Sequence, residues 1–342
     1  LGIYPDPTIM TTERYKQVLL LVGLGTLLVL VISVFIGRYP SPPGMSPRLL
    51  FEDNLARQLV LNLRLPRLLV AFLLGMVLSA AGSVLQMIFR NPLVEPGFLG
   101  VSQGAAFGAA VSILFLTHHP LVIELSATFF GLLALAATYY LSTRIRYGGW
   151  VLRLILSGVA VSALFSAGVG ILKYIADPLT ELPELTFWLL GGLYSVTWRE
   201  LLFVLPFALV GIVVVYVMRW RVNLLSLNDD TAFSLGASLT RERLVLLITS
   251  VAAAAALTAI SGVISWVGLI VPHISRRIFG ASAEKSIPAA MLLGGGFTVI
   301  ADDLARTLLA GEIPLGILTS AIGASLFIYL MVSMGIKVRR DG

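Results

Sequence analysis

The chain has 342 residues, 58% of them hydrophobic and 12% charged, with a mean hydropathy of +0.95 and a formal net charge of +6. A soluble domain carries roughly 25% charged residues, so these totals exclude a soluble globular protein and point to an integral membrane protein. There is no cysteine, which excludes disulfides and thiolate metal sites, and three histidines leave little from which to build a metal centre.

A membrane-crossing helix needs about 20 apolar residues, and runs free of Asp, Glu, Lys and Arg mark the candidates. In chain order the expected spans are 17–37, 67–90, 97–117, 122–143, 151–174, 199–219, 243–261, 262–279, 286–308 and 313–336. The first run has no small-residue cleavage site and reads as a retained span rather than a signal peptide. The seventh and eighth come from one uncharged run, Leu244–Ser275, of 32 residues. At ~1.5 Å per residue it would reach about 48 Å, too long for a hydrocarbon core of about 30 Å. Ser261-Gly262 offers a turn in its middle, and the short second half is a candidate re-entrant segment. The expected fold is therefore all-α, a single polytopic membrane domain with ten spans.

Charge supports this parity. Arg14 and Lys16 precede the first span, and Lys337, Arg339 and Arg340 follow the last, so both termini are expected in the cytoplasm. On this topology 15 Lys/Arg fall in cytoplasmic segments and eight outside, with Arg153 at a cytoplasmic helix end. Five of the outer eight crowd between Arg38 and Arg67 and run against the positive-inside bias. A basic isoelectric point of about 9.7 fits loops that face anionic lipid. No soluble domain, domain linker or internal repeat stands out.

The segment "RNPLVEPGFLGVSQGAAFGAA", Arg90–Ala110, joins the second and third spans. Pro92 and Pro96 stiffen a polar corner, since proline fixes φ and cannot continue a helix. The third span then presents mostly Gly, Ala and Ser. Small residues let helix backbones approach closely in lipid. Two readings stand: tight packing, and a helix bordering a cavity with Ser102 and Gln103 facing it.

Here the chain resembles a known family. Arg64–Arg67 (RLPR), Asn91–Pro96 (NPLVEP) and Leu99–Gly104 (LGVSQG) lie in the order found in the permease subunit of ABC importers for iron complexes and vitamin B12. "DDTAFSLGASL" (Asp229–Leu239), "VGLIVPHISRRIFG" (Val267–Gly280) and the stretch Ala301–Met331 agree. The resemblance runs from Arg64 to the C-terminus. It implies a vitamin B12-importer-permease-like fold with ten spans per subunit, working as a homodimer with two ATPase subunits and a substrate-binding protein. The location implied is the cytoplasmic membrane of a prokaryote.

The resemblance also implies site residues. Arg64 and Arg306, with Arg67 beside them, would dock acidic groups of the binding protein, although Asp302 and Asp303 could satisfy Arg306 locally. The fifth span would line the path, with Ser157, Ser162 and Ser166 as candidates. Lys173 at its end either meets an anionic ligand or snorkels to the interface. The segment 222–240 would be the coupling element for the ATPase. Within it Asp229 and Asp230 could cap a short helix, Ala232 and Leu235 would form a knob seated in the ATPase, and Gly236 could end the helix. His118 and His119 sit together in an outer loop, and His273 stands alone, so no metal site is expected.

No Gly-x-x-x-x-Gly-Lys-Ser/Thr phosphate loop occurs, nor any nucleophile–base set. ATP and Mg²⁺ would belong to the partner ATPase, and this chain is expected to bind no cofactor and no nucleic acid. An ion-coupled secondary transporter is the competing class. Such proteins place ionisable groups near the midplane of broken helices, and the expected spans here hold almost none. A metal chelate of the iron–siderophore, haem or cobalamin class is the favoured substrate, with molybdate or tungstate as the alternative.

Overall fold

The computed structural model describes residues 11–333. Lys337, Arg339, Arg340 and the end of the 313–336 span lie outside these residues. Helix α1 covers Thr12–Phe35 and α2 covers Asn54–Ile88, with a π turn at Val60–Arg64. Helix α3 is Val101–Leu116, entered through a 3₁₀ turn at Pro96–Leu99. Then follow α4 (Pro120–Arg144), α5 (Trp150–Ile175), α6 (Glu181–Leu190) and α7 (Trp198–Leu225). The rest are α8 (Asp229–Ser234), α9 (Leu239–Ser261), α10 (Val267–Phe279), α11 (Ala283–Thr307) and α12 (Leu315–Ser333). Among the described residues eight helices are long and apolar enough to cross a membrane, and α3 is a shorter apolar helix.

Small residues decide which helices sit in the middle. Helices α2, α9 and α11 are the most buried, whereas α1, α5, α7 and α12 form the rim. Gly75 of α2 lies against Gly294 of α11, and a Cβ there would strike the Gly294 carbonyl. One turn-pair further along, Gly82 lies against Gly268 of α10 in the same way. In lipid, where burial of apolar surface gives no drive to associate, such backbone approach is what lets dispersion forces hold helices together. The run Ala252–Ala256 does the same for α9, and four of those five alanines fall in the buried core with the fifth partly covered.

The largest departures from the sequence expectation are in α2, α6 and α7. Helix α2 starts at Asn54, thirteen residues before the expected 67, because Asp53 caps it through Leu55 N at 2.8 Å and charged residues then ride on an ordinary helix. Helix α6 was not expected at all. It runs Glu181–Leu190 with acidic residues in its first turn, where they favour the positive end of the helix dipole. Helix α7 begins on a capping box between Thr197 and Glu200, and continues to Leu225, beyond the expected 219.

The long uncharged run breaks at Gly262, whose φ of +66° suits glycine, and α10 begins only at Val267. Trp266, at φ +75°, turns the chain into α10. With 13 residues α10 is about 20 Å long, roughly two thirds of a hydrocarbon core.

Candidate functional site

Two clusters of sequence-singled residues sit at opposite ends of the bundle. At the end where α2 starts and α11 finishes, Arg64, Arg67 and Arg306 converge. Arg67 Nε and Nη2 reach the Asp302 carboxylate at 2.9–3.1 Å, and its Nη1 reaches both oxygens of Glu312 at 3.0 and 3.1 Å. Arg306 pairs with Asp303, and its Nε lies 3.4 Å from Asp302. Among the described residues Arg64 has no carboxylate partner of its own. It donates to the carbonyls of Val34 at 3.1 Å and Tyr39 at 3.3 Å. All three guanidinium side chains are largely buried.

So the arginines are brought together, but in an internal frame of ion pairs with only Glu312 substantially exposed at 40%. Local satisfaction of Arg306 by Asp302 and Asp303 is what the structure shows. Arg38, Arg64, Arg67, Arg306, Tyr194 and Glu312 edge a cavity of about 260 Å³ at this end. Glu312 and the tyrosines were not singled out from the sequence. Glu312 finds its partner, Arg67, at a separation of 245 residues, so no local pattern marks it.

The residues expected to line a path are not on one surface. Ser157 and Ser166 of α5 are nine positions apart, which on a helix puts them on opposite faces. Ser157 is buried, and its Oγ has no partner among the described residues. Ser166 is exposed, while Ser162, Lys173, Ser102 and Gln103 are half-buried. The exposed side of α5 also carries Val159, Leu164, Ile171 and Tyr174 over about half the helix circumference, the last 90% exposed. His118 is paired with Glu184 at 2.8 Å, not with His119.

At the other end, α8 forms a short knob. Asp229 and Asp230 do not cap it: the N-cap is Asn228, and Asp229 instead receives Arg243 through two bonds of 2.7 and 3.1 Å. That hydrogen bond, reinforced by the charges of Arg243 and Arg90, holds the Asp229 carboxyl below the usual carboxylate range, against a partial opposing effect of burial. Gly236 ends the helix at φ +80°. Its N–H donates to Phe233 O at 2.9 Å, and that of Ala237 donates to Ala232 O at 3.0 Å, the paired bonds of a Schellman motif.

The expected orientation of Ala232 is corrected. It has no exposed surface and belongs to the core that also holds Val94, Leu225, Ala237 and Leu246, so it faces into this chain and not outward to an ATPase. The side chains that α8 offers outward are Phe233, 74% exposed, and Leu235, 57% exposed, with Asp230 beside them. A six-residue helix is too short for periodicity to reveal which side faces in. Among the described residues no group of three or more His, Cys, Asp or Glu could hold a metal ion.

Known proteins place this geometry. The FecCD transport family matches residues 25–333. The molybdate import system permease protein MolB of Haemophilus influenzae is 38% identical over 97% of this chain and 99% of its own length. The hemin transport system permease protein HmuU of Yersinia pestis is 37% identical over 80% of this chain and 82% of its own. A solved structure assigned as a metal-chelate type ABC transporter in an inward-facing conformation superposes with a TM-score of 0.85 at 38% identity, covering 93% of this chain and 99% of that one. Fold and likeness together define the class, a multi-pass membrane permease of ABC transporters. Within it, this chain belongs to the FecCD transport family.

Proposed function

We propose that this permease is the membrane subunit of an ATP-driven importer, working as a homodimer with two ATPase subunits that dock on α8 from the cytoplasm. The observation that carries this is the knob itself. Phe233 and Leu235 are offered to a partner from a helix whose other side is tied down by Arg243, as an element that transmits force requires. The exposed face of α5, from Val159 to Tyr174, then meets its copy in a second subunit and borders the path, with Ser162, Ser166 and Lys173 at its edge. Ten crossings with both termini in the cytoplasm complete the arrangement, the short α10 together with the non-helical 262–266 segment making the eighth.

The substrate-binding protein docks at the opposite end, over the cavity edged by Arg38, Arg64, Arg67 and Arg306. If acidic lobes dock there, affinity falls steeply between low and high salt. A salt-independent affinity would rule out docking through arginine.

The cargo is a metal chelate of the iron–siderophore, haem or cobalamin class. Relatives named for hemin and iron chelates support it. Molybdate is the second reading, supported by the 38% identity to MolB over nearly the whole chain. Proteoliposomes holding the permease and its ATPase, given a binding protein and each candidate in turn, separate them. ATP-dependent uptake of one class names the cargo. Uptake driven by an ion gradient without ATP would overturn the importer reading altogether.

A further inference from the structure

The stiff corner between α2 and α3 is held at both ends. At its start, Arg90 sits at φ +50°, a left-handed conformation that non-glycine residues avoid. From there its guanidinium reaches the segment leading into α8: Nη1 donates to Asn228 Oδ1 at 3.0 Å, Nη2 donates to Leu227 O, and Asp229 Oδ1 lies 3.5 Å away. Asp229 is shared with Arg243 of α9, whose guanidinium stacks 5.0 Å over the ring of Trp150, the first residue of α5. At the corner's far end Glu95 is half-buried, and its Oε2 accepts the Trp266 N–H at 3.2 Å, at the point where α10 begins. Between these ends the corner is rigid. Asn91 Oδ1 accepts from Leu93 N at 2.9 Å, Asn91 N donates to Gln86 O at 3.1 Å, and Pro92 and Pro96 fix two φ angles.

A strained backbone persists only where its surroundings over-determine it. The Arg90–Asp229 pair is half exposed, so its value as stability is small. What the three contacts of Arg90 do achieve is register, since they leave α8 no freedom to move without the corner. We infer that the segment Arg90–Pro96 is a lever that carries displacement of α8 to the start of α10 through Glu95, while Arg243 and Trp150 carry it to the start of α5. Arg90 and Glu95 are its positioning residues. This rests on the reading of α8 as the ATPase contact, and it adds the route by which that contact reaches membrane depth.

The test uses Arg90→Gly, which suits the left-handed backbone and so preserves the corner while removing the link. In the reconstituted permease–ATPase complex with its binding protein, ATP hydrolysis continues at the wild-type rate. Uptake per ATP falls at least tenfold, and Glu95→Gln shifts it in the same direction. Arg90→Gly combined with Asn228→Ala is no worse than Arg90→Gly alone, since the Asn228 side chain serves only the Arg90 link and makes no cap bond. Wild-type uptake per ATP in Arg90→Gly overturns the lever. A wild-type complex with no ATP-coupled uptake would instead count against the importer reading. The chain has no cysteine, so spin labels on Leu93→Cys and Thr231→Cys are unique. Their separation is narrowly distributed in the lever and broadens in Arg90→Gly, in the permease with or without ATPase. An unchanged narrow distribution in that variant overturns the proposal even if the complex fails to assemble.

Discussion

Asp302→Asn isolates what the arginine–carboxylate frame contributes. The Asp302 side chain is 3% exposed and meets Arg67 at 2.9 Å and Arg306 at 3.4 Å. Asparagine keeps the volume and removes the charge. Arg64, Arg67 and Arg306 then face only Asp303 and Glu312. Removing one partner of a buried ion pair costs about 3–5 kcal/mol, because the charge left behind has lost both water and counter-ion. Glu312→Gln also takes a partner from Arg67, but Glu312 is 40% exposed and water can replace it, so the cost is about 0–1 kcal/mol. The two variants therefore differ by roughly 3 kcal/mol although each removes one carboxylate from the same arginine. Unfolding of the purified permease by SDS in mixed micelles reads this as a shift in midpoint, large for Asp302→Asn and small for Glu312→Gln. Arg67→Met with Asp302→Leu, which removes both charges together, recovers part of the loss. Equal midpoints for Asp302→Asn and Glu312→Gln would refute the assignment of a buried frame.

Ala232→Trp should overpack the core beneath α8 and cost about 1–3 kcal/mol or more, opening 226–238 to protease in the permease alone; unchanged resistance without any ATPase would put Ala232 on the outer side after all. Gly236→Val forces a branched side chain into φ +80° and should speed exchange of the Ala237 amide, while Gly236→Asn does so less, since asparagine tolerates that region; equal exchange in all three would remove the strain argument. Because its folded pKa is depressed, chiefly by the Arg243 hydrogen bond, Asp229 stabilises α8 fully above the unfolded carboxylate value of about 3.9 and loses that contribution as pH falls through the lower folded value. Amide protection in α8 should thus stay flat down to about pH 4 and then drop, with the drop shrinking in Arg243→Met because the folded and unfolded values draw together; identical profiles would show that Arg243 does not hold it. Gly82→Ala should push α10 off α2 and lower stability by about 1–3 kcal/mol, whereas Gly25→Ala, with nothing within 4 Å, should be silent.

Features written into a single stretch of chain were legible from sequence, and features that needed two distant stretches were not. The break at Gly262 could be read because 32 uncharged residues exceed the bilayer, and the left-handed end of α8 because glycine stands at position 236. The onset of α2 at Asn54 was missed because counting charges finds the part of a helix at membrane depth, not the helix. Arg64, Arg67 and Arg306 could be grouped, yet their burial depends on Asp302, Asp303 and Glu312 folding back onto them. The part played by Asp229 was misread for a similar reason: Arg243 lies fourteen residues on and turns a cap into an ion pair.

The shortness of α10 has a consequence for how the chain is made. A helix of 13 residues is too brief to enter the bilayer on its own hydrophobicity as a full span would. Its seat is a prepared surface on α2, where Gly82 admits the Gly268 backbone and Gln86 Nε2 donates to the carbonyls of Gly268 and Leu269 at 3.2 and 3.1 Å. Pro272 has no N–H, so the Gly268 carbonyl lacks its partner four residues on within α10, and Gln86 supplies one. Gln86 precedes Gly268 by 182 residues, so during synthesis the seat is in the membrane long before its occupant leaves the ribosome. Late arrival is then an advantage: α10 can be drawn in by a surface already waiting, rather than threaded by the translocon as an independent segment.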